Sequence, residues 1–152
     1  MPQLSLHSPL GPLTLTQEDD AIVALDWGRG RDQTETPLLR AAADWLDRYF
    51  DGEAAAFTLP LRPFGTPYRR RVWERLMLIG HGDVMTYGAL AQEIGGSARS
   101  VGGAVGANPI PVICPCHRVV GAAGIGGYSG DGGLDDKRFL LHLESLSRAT
   151  TA

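Results

Sequence analysis

Cysteine is scarce in this sequence. The 152 residues hold two, one residue apart in VICPCHRVVG (Val112–Gly121). Cys114 and Cys116 cannot readily bridge to each other in an ordinary strand, because successive side chains point to opposite faces. With no other cysteine there is no disulfide framework, so the chain is expected to be reduced and intracellular, cytoplasmic or (in a eukaryote) nuclear. A structural zinc site needs about four ligands. No second cysteine pair exists, and His7, His81 and His142 have no ligand spacing to Cys114, Cys116 and His117. No metal or other cofactor is therefore expected. No apolar run approaches the roughly 20 residues of a membrane span, so no membrane partner is expected. The start, MPQLSLHSPLG, has neither a basic end nor a long apolar core and does not read as a secretory signal. There is no internal repeat.

What is present is globular in composition, 43% apolar and 20% charged. The length suits one ordinary domain or two small ones sharing an interface. Charge is uneven. Residues 1–57 carry four arginines against ten acids; the remainder carries ten basic groups against seven acids. An acidic front and a basic back fit a polyanion partner for the second half only, or chance scatter of surface charge.

Leu13–Gln17 alternates apolar and polar residues, Ala21–Trp27 is a β-branched run, and Glu18-Asp19-Asp20 between them predicts a hairpin. Thr36-Pro37 reads as a helix cap. Leu38, Leu39, Ala42, Leu46 and Phe50 follow as an apolar face, and Asp51-Gly52 is the stop. Residues 58–66, rich in proline and turn residues, read as a linker between an N-terminal domain (1–57) and a C-terminal one (67–152). Thr66-Pro67 caps a helix whose arginines (Arg69, Arg70, Arg71, Arg75) are either a solvated side or phosphate contacts.

Thr86 caps a short helix to Ile94, Gly95-Gly96 breaks it, and Ser97 caps another to about Ala107, the pattern of a helix-turn-helix. Gly102, Gly103 and Gly106 sit in that last helix beside Ala104. Each costs about 1 kcal/mol relative to alanine, so close approach of another surface is needed, a neighbouring helix or a nucleic-acid backbone. A final helix is expected from Asp135, with Leu134 stapled to Phe139 and an apolar side of Phe139, Leu140 and Leu143.

Pro115-Cys116-His117-Arg118 admits two readings. One is a buried strand with two inert cysteines. The other is a nucleophile beside its base, since imidazole and guanidinium suit a cysteine that must become a thiolate.

The segments GDVMTYGALA, ARSVGGAVGAN and NPIPVICPCHRVVG resemble the O6-alkylguanine-DNA alkyltransferase family, with Pro-Cys-His-Arg-Val as its signature. The resemblance implies an α/β N-terminal domain related to ribonuclease H and a C-terminal winged helix-turn-helix domain. It implies irreversible, once-only transfer of an alkyl group from O6-alkylguanine in double-stranded DNA to Cys116, after the nucleotide is flipped out. O4-alkylthymine is a further candidate substrate. His117 resembles the base, acting through a water, and Glu144 the carboxylate that orients it. Asn108 resembles the asparagine that ties the active segment to the helix-turn-helix, and Tyr87 a donor toward the flipped nucleotide. Arg99 resembles the finger that fills the vacated stack. Ser97, Gly102, Gly103 and Ala104 resemble the DNA-facing surface, with the helix in the minor groove. Tyr128, Ser129 and Gly130 resemble the loop over the lesion. The chain is expected to act as a monomer, with cooperative binding along DNA left open.

Cys114 departs from the usual aliphatic residue, and Gly106 from a basic one found in some members. The loop 130–136 is longer than usual and brings Asp131, Asp135 and Asp136. A lesion sensor without transfer is the alternative, but such relatives lack the cysteine found here. A winged-helix regulator with an incidental Cys-His pair leaves Asn108, Glu144 and Arg99 unexplained.

Overall fold

The computed structural model describes residues 1–126 and 133–151, apart from the side chains of 147–151. The N-terminal half opens with an antiparallel sheet ordered β1 (Gln3–Leu6), β2 (Leu13–Glu18), β3 (Ala21–Trp27). The expected hairpin is β2–β3, with Leu15 opposite Leu25 and Asp19 taking the left-handed φ of 52° its turn requires. β1 was not anticipated. It is four residues long in a stretch broken by proline, serine and glycine, and its pairing with β2 is what makes it a strand.

Helix α1 (Pro37–Phe50) lies against the sheet, its Thr36 hydroxyl accepting from Leu39 N at 3.1 Å. The buried face is Leu39, Ala42, Ala43, Leu46 and Tyr49. It is rotated from the expected one, with Leu38 and Phe50 at its half-buried margins. The stretch 58–66 is no loose tether. Ile22 N donates to Pro60 O at 3.0 Å and Arg62 N to Ile22 O at 2.8 Å, so Leu61 bridges to β3 along its open edge.

Helices α2 (Pro67–Leu76), α3 (Tyr87–Ile94) and α4 (Ala98–Gly106) carry the expected caps, Thr66, Thr86 and Ser97. Ser97 and Ser100 also form a reciprocal capping box. Gly95 and Gly96, at φ 98° and 94°, turn α3 into α4. The Tyr68 hydroxyl donates to Gly95 O at 3.0 Å and pins that turn to α2. Trp73 Nε1 donates to Ala104 O at 2.8 Å and fixes α4 across α2. Of the basic side of α2, Arg75 pairs with Glu93 of α3 at 2.5 Å, and Arg71 lies 5.6 Å over the Tyr68 ring.

Two-residue strands β4 (Met85–Thr86) and β5 (Val119–Val120) pair in parallel, and α5 (Gly133–Thr151) closes the chain. α5 starts at Gly133 rather than Asp135. Leu140 is buried, but Phe139 is 38% and Leu134 40% exposed, so the expected staple stands at the surface. The residues that α5 turns inward beside Leu140 are Lys137 and Glu144.

Two apolar cores result. The first joins β2, β3 and α1 with Ile110, Val112, Ile113 and Leu140; the second joins α2, α3 and α4 with Cys114, Cys116 and Val119. The segment 110–116 is thus the seam between them. Among the described residues no helix is long and apolar enough to cross a membrane.

Candidate active site

The seam is not a strand, as one reading of the sequence had it. Cys114 N donates to Ile110 O at 2.9 Å. Within that loop, Ile113 N donates to Pro111 O at 2.9 Å, with Val112 held at φ 71°. This is a γ-turn of the rare positive-φ form, and a β-branched residue is poorly suited to it. Pro115 then forms the relaxed counterpart, φ −81° and ψ 66°, with Cys116 N donating to Cys114 O at 2.8 Å. Cys116, His117 and Arg118 follow as a single 3₁₀ turn. Prolines at 111 and 115 remove the backbone donors a strand would need. Asn108 braces the arrangement: its Nδ2 donates to Cys114 O at 2.8 Å and its Oδ1 accepts from Ile110 N at 3.0 Å.

Both cysteines are free thiols and both are buried. Cys114 packs in the second core, with Sγ 3.6 Å from Trp73 O. Burial pushes the Cys116 thiol up to about 11. The Asn108 side chain, the Lys137 ammonium and the backbone N–H groups of Cys116 and His117 act against that rise.

His117 is fully buried and its Nε2 stands 2.5 Å from Glu144 Oε2. An anionic partner there assigns the ring proton to Nε2. His117 Nδ1 is buried and has no hydrogen-bond partner among the described residues. Burial lowers the His117 pKa, and Glu144 opposes that shift.

Glu144 collects donors from four places. These are His117, Arg118 (Nε to Oε1 at 2.8 Å, Nη2 to Oε2 at 3.1 Å), Gly82 N at 3.3 Å, and Tyr49 Oη at 2.5 Å. Burial alone would raise its pKa. The bonds and charges of His117 and Arg118 outweigh it and hold the carboxyl well below the usual range. Arg118 also donates to Ile79 O at 2.5 Å.

Lys137 is the only lysine of the chain, and it is fully buried. Its ammonium donates to Val119 O at 2.7 Å and lies 5.8 Å from the centre of the Tyr87 ring. Tyr87, half-buried at the first turn of α3, packs on Gly126, where a Cβ would come within 2.9 Å of the ring.

The sequence expected Cys116, His117, Glu144, Asn108 and Tyr87 in one site, and the fold brings them together. Arg99 and Ser97 lie apart from them, exposed at the start of α4. Along that helix, among the described residues, a Cβ on Gly103 or Gly106 would meet nothing within 4 Å, and one on Gly102 the edge of Tyr87 at 4.0 Å. A neighbouring helix is therefore not the reason for the glycines. Tyr128, Ser129, Gly130 and Asp131 lie outside the described residues. Tyr49, Arg118, Gly82 and Lys137 were not anticipated. Lys137, Leu140 and Glu144 do share the i, i+3, i+7 spacing of one helix face, which is the signal that was available.

The profile of the 6-O-methylguanine DNA methyltransferase DNA-binding domain matches residues 67–146. That of the 6-O-methylguanine DNA methyltransferase ribonuclease-like domain matches residues 4–63. This chain belongs to that family. The methylated-DNA–protein-cysteine methyltransferase of Mycobacterium tuberculosis is 42% identical over 158 aligned residues, 95% of this chain and 92% of that protein. The protein of the same name from Methanosarcina acetivorans is 39% identical, over 91% of this chain and 94% of its own. Among solved structures, M. tuberculosis OGT in complex with DNA superposes with a TM-score of 0.86 at 39% identity, covering 97% of this chain and 94% of that one. The fold is the two-domain fold of the family, with the ribonuclease-like part carrying β1–β3 and α1 and the DNA-binding part carrying α2–α5.

Proposed function

We propose that this protein repairs alkylated DNA by direct reversal, transferring the alkyl group of O6-alkylguanine in duplex DNA to Cys116 as a monomer. Residues 1–57 serve as the N-terminal domain, 58–66 as its connection and 67–152 as the alkyltransferase domain. The observation that carries the reading is the buried His117, held by Glu144 through Nε2, with no partner for Nδ1 among the described residues, next in the chain to the buried thiol of Cys116.

With the thiol pushed up to about 11, the thiolate fraction at neutral pH is on the order of one in ten thousand. Attack therefore does not draw on a standing thiolate. The proton leaves Sγ as the lesion reacts, passing through one water to Nδ1 of His117, and Glu144 stabilises the imidazolium that forms. The S–C bond forms as the C–O6 bond breaks, and the electron pair of that bond goes to the guanine. The Tyr87 hydroxyl donates to the charge developing there. The product is a thioether with no good leaving group, so each molecule reacts once.

Helix α4 is the DNA-facing helix in this reading. Gly103 and Gly106, which carry no side chain, let a groove approach the backbone, Ser97, Gly102 and Ala104 share the surface, and Arg99 fills the vacated stack. The relatives' name, methylated-DNA–protein-cysteine methyltransferase, and the solved complex of one with DNA support it. The test is intact mass after incubation with a duplex holding O6-methylguanine. Gain of one methyl on the peptide with Cys116 is expected. Tight lesion binding without any mass gain would overturn the transfer and leave a sensor.

A further inference from the structure

Tyr49 belongs to the N-terminal half, near the end of α1, yet it reaches the active-site carboxylate. Its hydroxyl donates to Glu144 Oε2 at 2.5 Å and stands 3.5 Å from His117 Nε2. The residue is 1% exposed. Its ring stacks on Trp45 at 5.4 Å and meets Phe50 and His81 edge-on at 5.3 and 5.9 Å. Three aromatic contacts thus fix where the hydroxyl points.

The other donors to Glu144 come from the second half: His117 and Arg118 from the 3₁₀ turn and Gly82 from the loop before β4. A carboxylate offers about four lone-pair sites. Those of Glu144 meet five donor contacts, two of them from Arg118. Tyr49 and Arg118 Nη2 share Oε2 with His117, but the phenol differs from the guanidinium in one respect. Having given its one proton to Oε2, its oxygen can only accept from His117 Nε2, 3.5 Å away. A guanidinium has no acceptor to offer. The hydroxyl therefore favours a proton on Nε2 and an empty Nδ1, the tautomer in which His117 can take a proton.

Resting on the alkyl-transfer reading, we infer that Tyr49 is a positioning residue for that reaction. Its hydroxyl locks the Glu144 carboxylate and the Nε2–H tautomer of His117, so that the reactivity of Cys116 depends on the N-terminal half being docked.

Tyr49→Phe keeps the ring and removes only the hydroxyl. Three quantities test it: the single-turnover rate of methyl transfer from a saturating O6-methylguanine duplex, the affinity for that duplex, and the ¹⁵N shifts of the His117 ring. The rate is expected to fall roughly tenfold. Affinity stays within about twofold, and the ring shifts move from an Nε2–H pattern toward a mixture of tautomers. Ile22→Val, a mild loss in the first core, is the stability control and keeps both rate and shifts. Unchanged shifts in Tyr49→Phe, with or without a slower rate, overturn the proposal, as does an equal loss of rate in Ile22→Val. If the unaltered protein takes no methyl at all, the alkyl-transfer reading fails, while the ring shifts still report whether Tyr49 governs His117.

Discussion

His117 Nε2 and Glu144 Oε2 lie 2.5 Å apart with both side chains sealed from solvent. The contact binds a residue of the 3₁₀ turn to one 27 positions later on α5. The pair gives His117 its direction, and Arg118 completes the charge balance around the carboxylate.

Glu144→Gln should therefore be costly twice. The amide cannot neutralise an imidazolium, and Arg118 loses its anionic partner inside the protein. Breaking a buried pair from one side typically costs about 3–5 kcal/mol. A transfer rate at least roughly a hundredfold lower and a clearly lower urea midpoint are expected from single-turnover kinetics and chemical denaturation. A variant that kept full rate would remove Glu144 from the reaction.

Stability should peak in a neutral window. Burial lowers the pKa of His117 and of His81. The unfolded chain, with imidazoles near about 6.5, then binds more protons, and stability falls as the pH drops below that value. Glu144 acts in the same direction. Its contribution is present above the unfolded carboxyl value of about 4.3 and is lost as pH falls through its lower folded value. The thiols act at the other end. Cys116, pushed up to about 11 by burial, favours the folded chain below the unfolded thiol value of about 8.5, and that contribution is lost as pH rises toward the folded value. Cys114, raised by burial and by its neighbour, adds to the same limb. Urea midpoints from about pH 5 to about pH 10 should fall on both sides, and Cys116→Ala should flatten the alkaline side.

Lys137→Met should separate electrostatics from packing. The ammonium favours the Cys116 thiolate and donates to Val119 O. Methionine fills similar space without charge. Modification of Cys116 by iodoacetamide is expected to shift to higher pH and methyl transfer to slow about tenfold. An unmoved pH dependence would show that the charge does not reach the thiol.

Gly103→Ala should move stability and DNA binding in opposite directions. Its Cβ meets nothing within 4 Å among the described residues, so the helix gains about 1 kcal/mol. A groove seated on α4 would meet the new methyl, and duplex affinity should drop. Thermal unfolding and duplex titration read the two signs. A gain in both would place the DNA elsewhere.

Arg99→Ala should impair repair of duplex while leaving reaction with the free base O6-benzylguanine unchanged. Arg99 is exposed on α4, and the free base needs no flipping. Equal loss on both substrates would remove it from the flipping step.

The helices were legible because their signals are local. Thr36, Thr66, Thr86 and Ser97 each cap the helix that the residues just after them announce. The hairpin β2–β3 was legible for the same reason. β1 and the bridge at Leu61 were not: β1 becomes regular only by pairing with β2 across the proline- and glycine-containing stretch 7–12, and Leu61 only through Ile22, far back in the chain. The seam resisted reading because Val112 adopts a φ that its side chain opposes, a choice set by packing on both sides. Phe139 is apolar yet lies at the surface, and Lys137 and Glu144 hold the inward places of α5, so apolarity does not mark the buried face there. Tyr49 was hidden by a helix face that could be drawn through Phe50 instead.

The seam also makes the two halves incomplete apart. Ile110, Val112 and Ile113 are wall for the sheet and α1, while Cys114 and Cys116 are wall for the three-helix cluster. Leu25 N donates to Pro109 O at 3.0 Å and stitches β3 to the segment's start. A chain severed within 58–66 would leave one fragment with an open sheet face and the other with its reactive loop unsupported. The acidic half would then be lost not as a partner-binding module but as half of the mould in which the loop is cast.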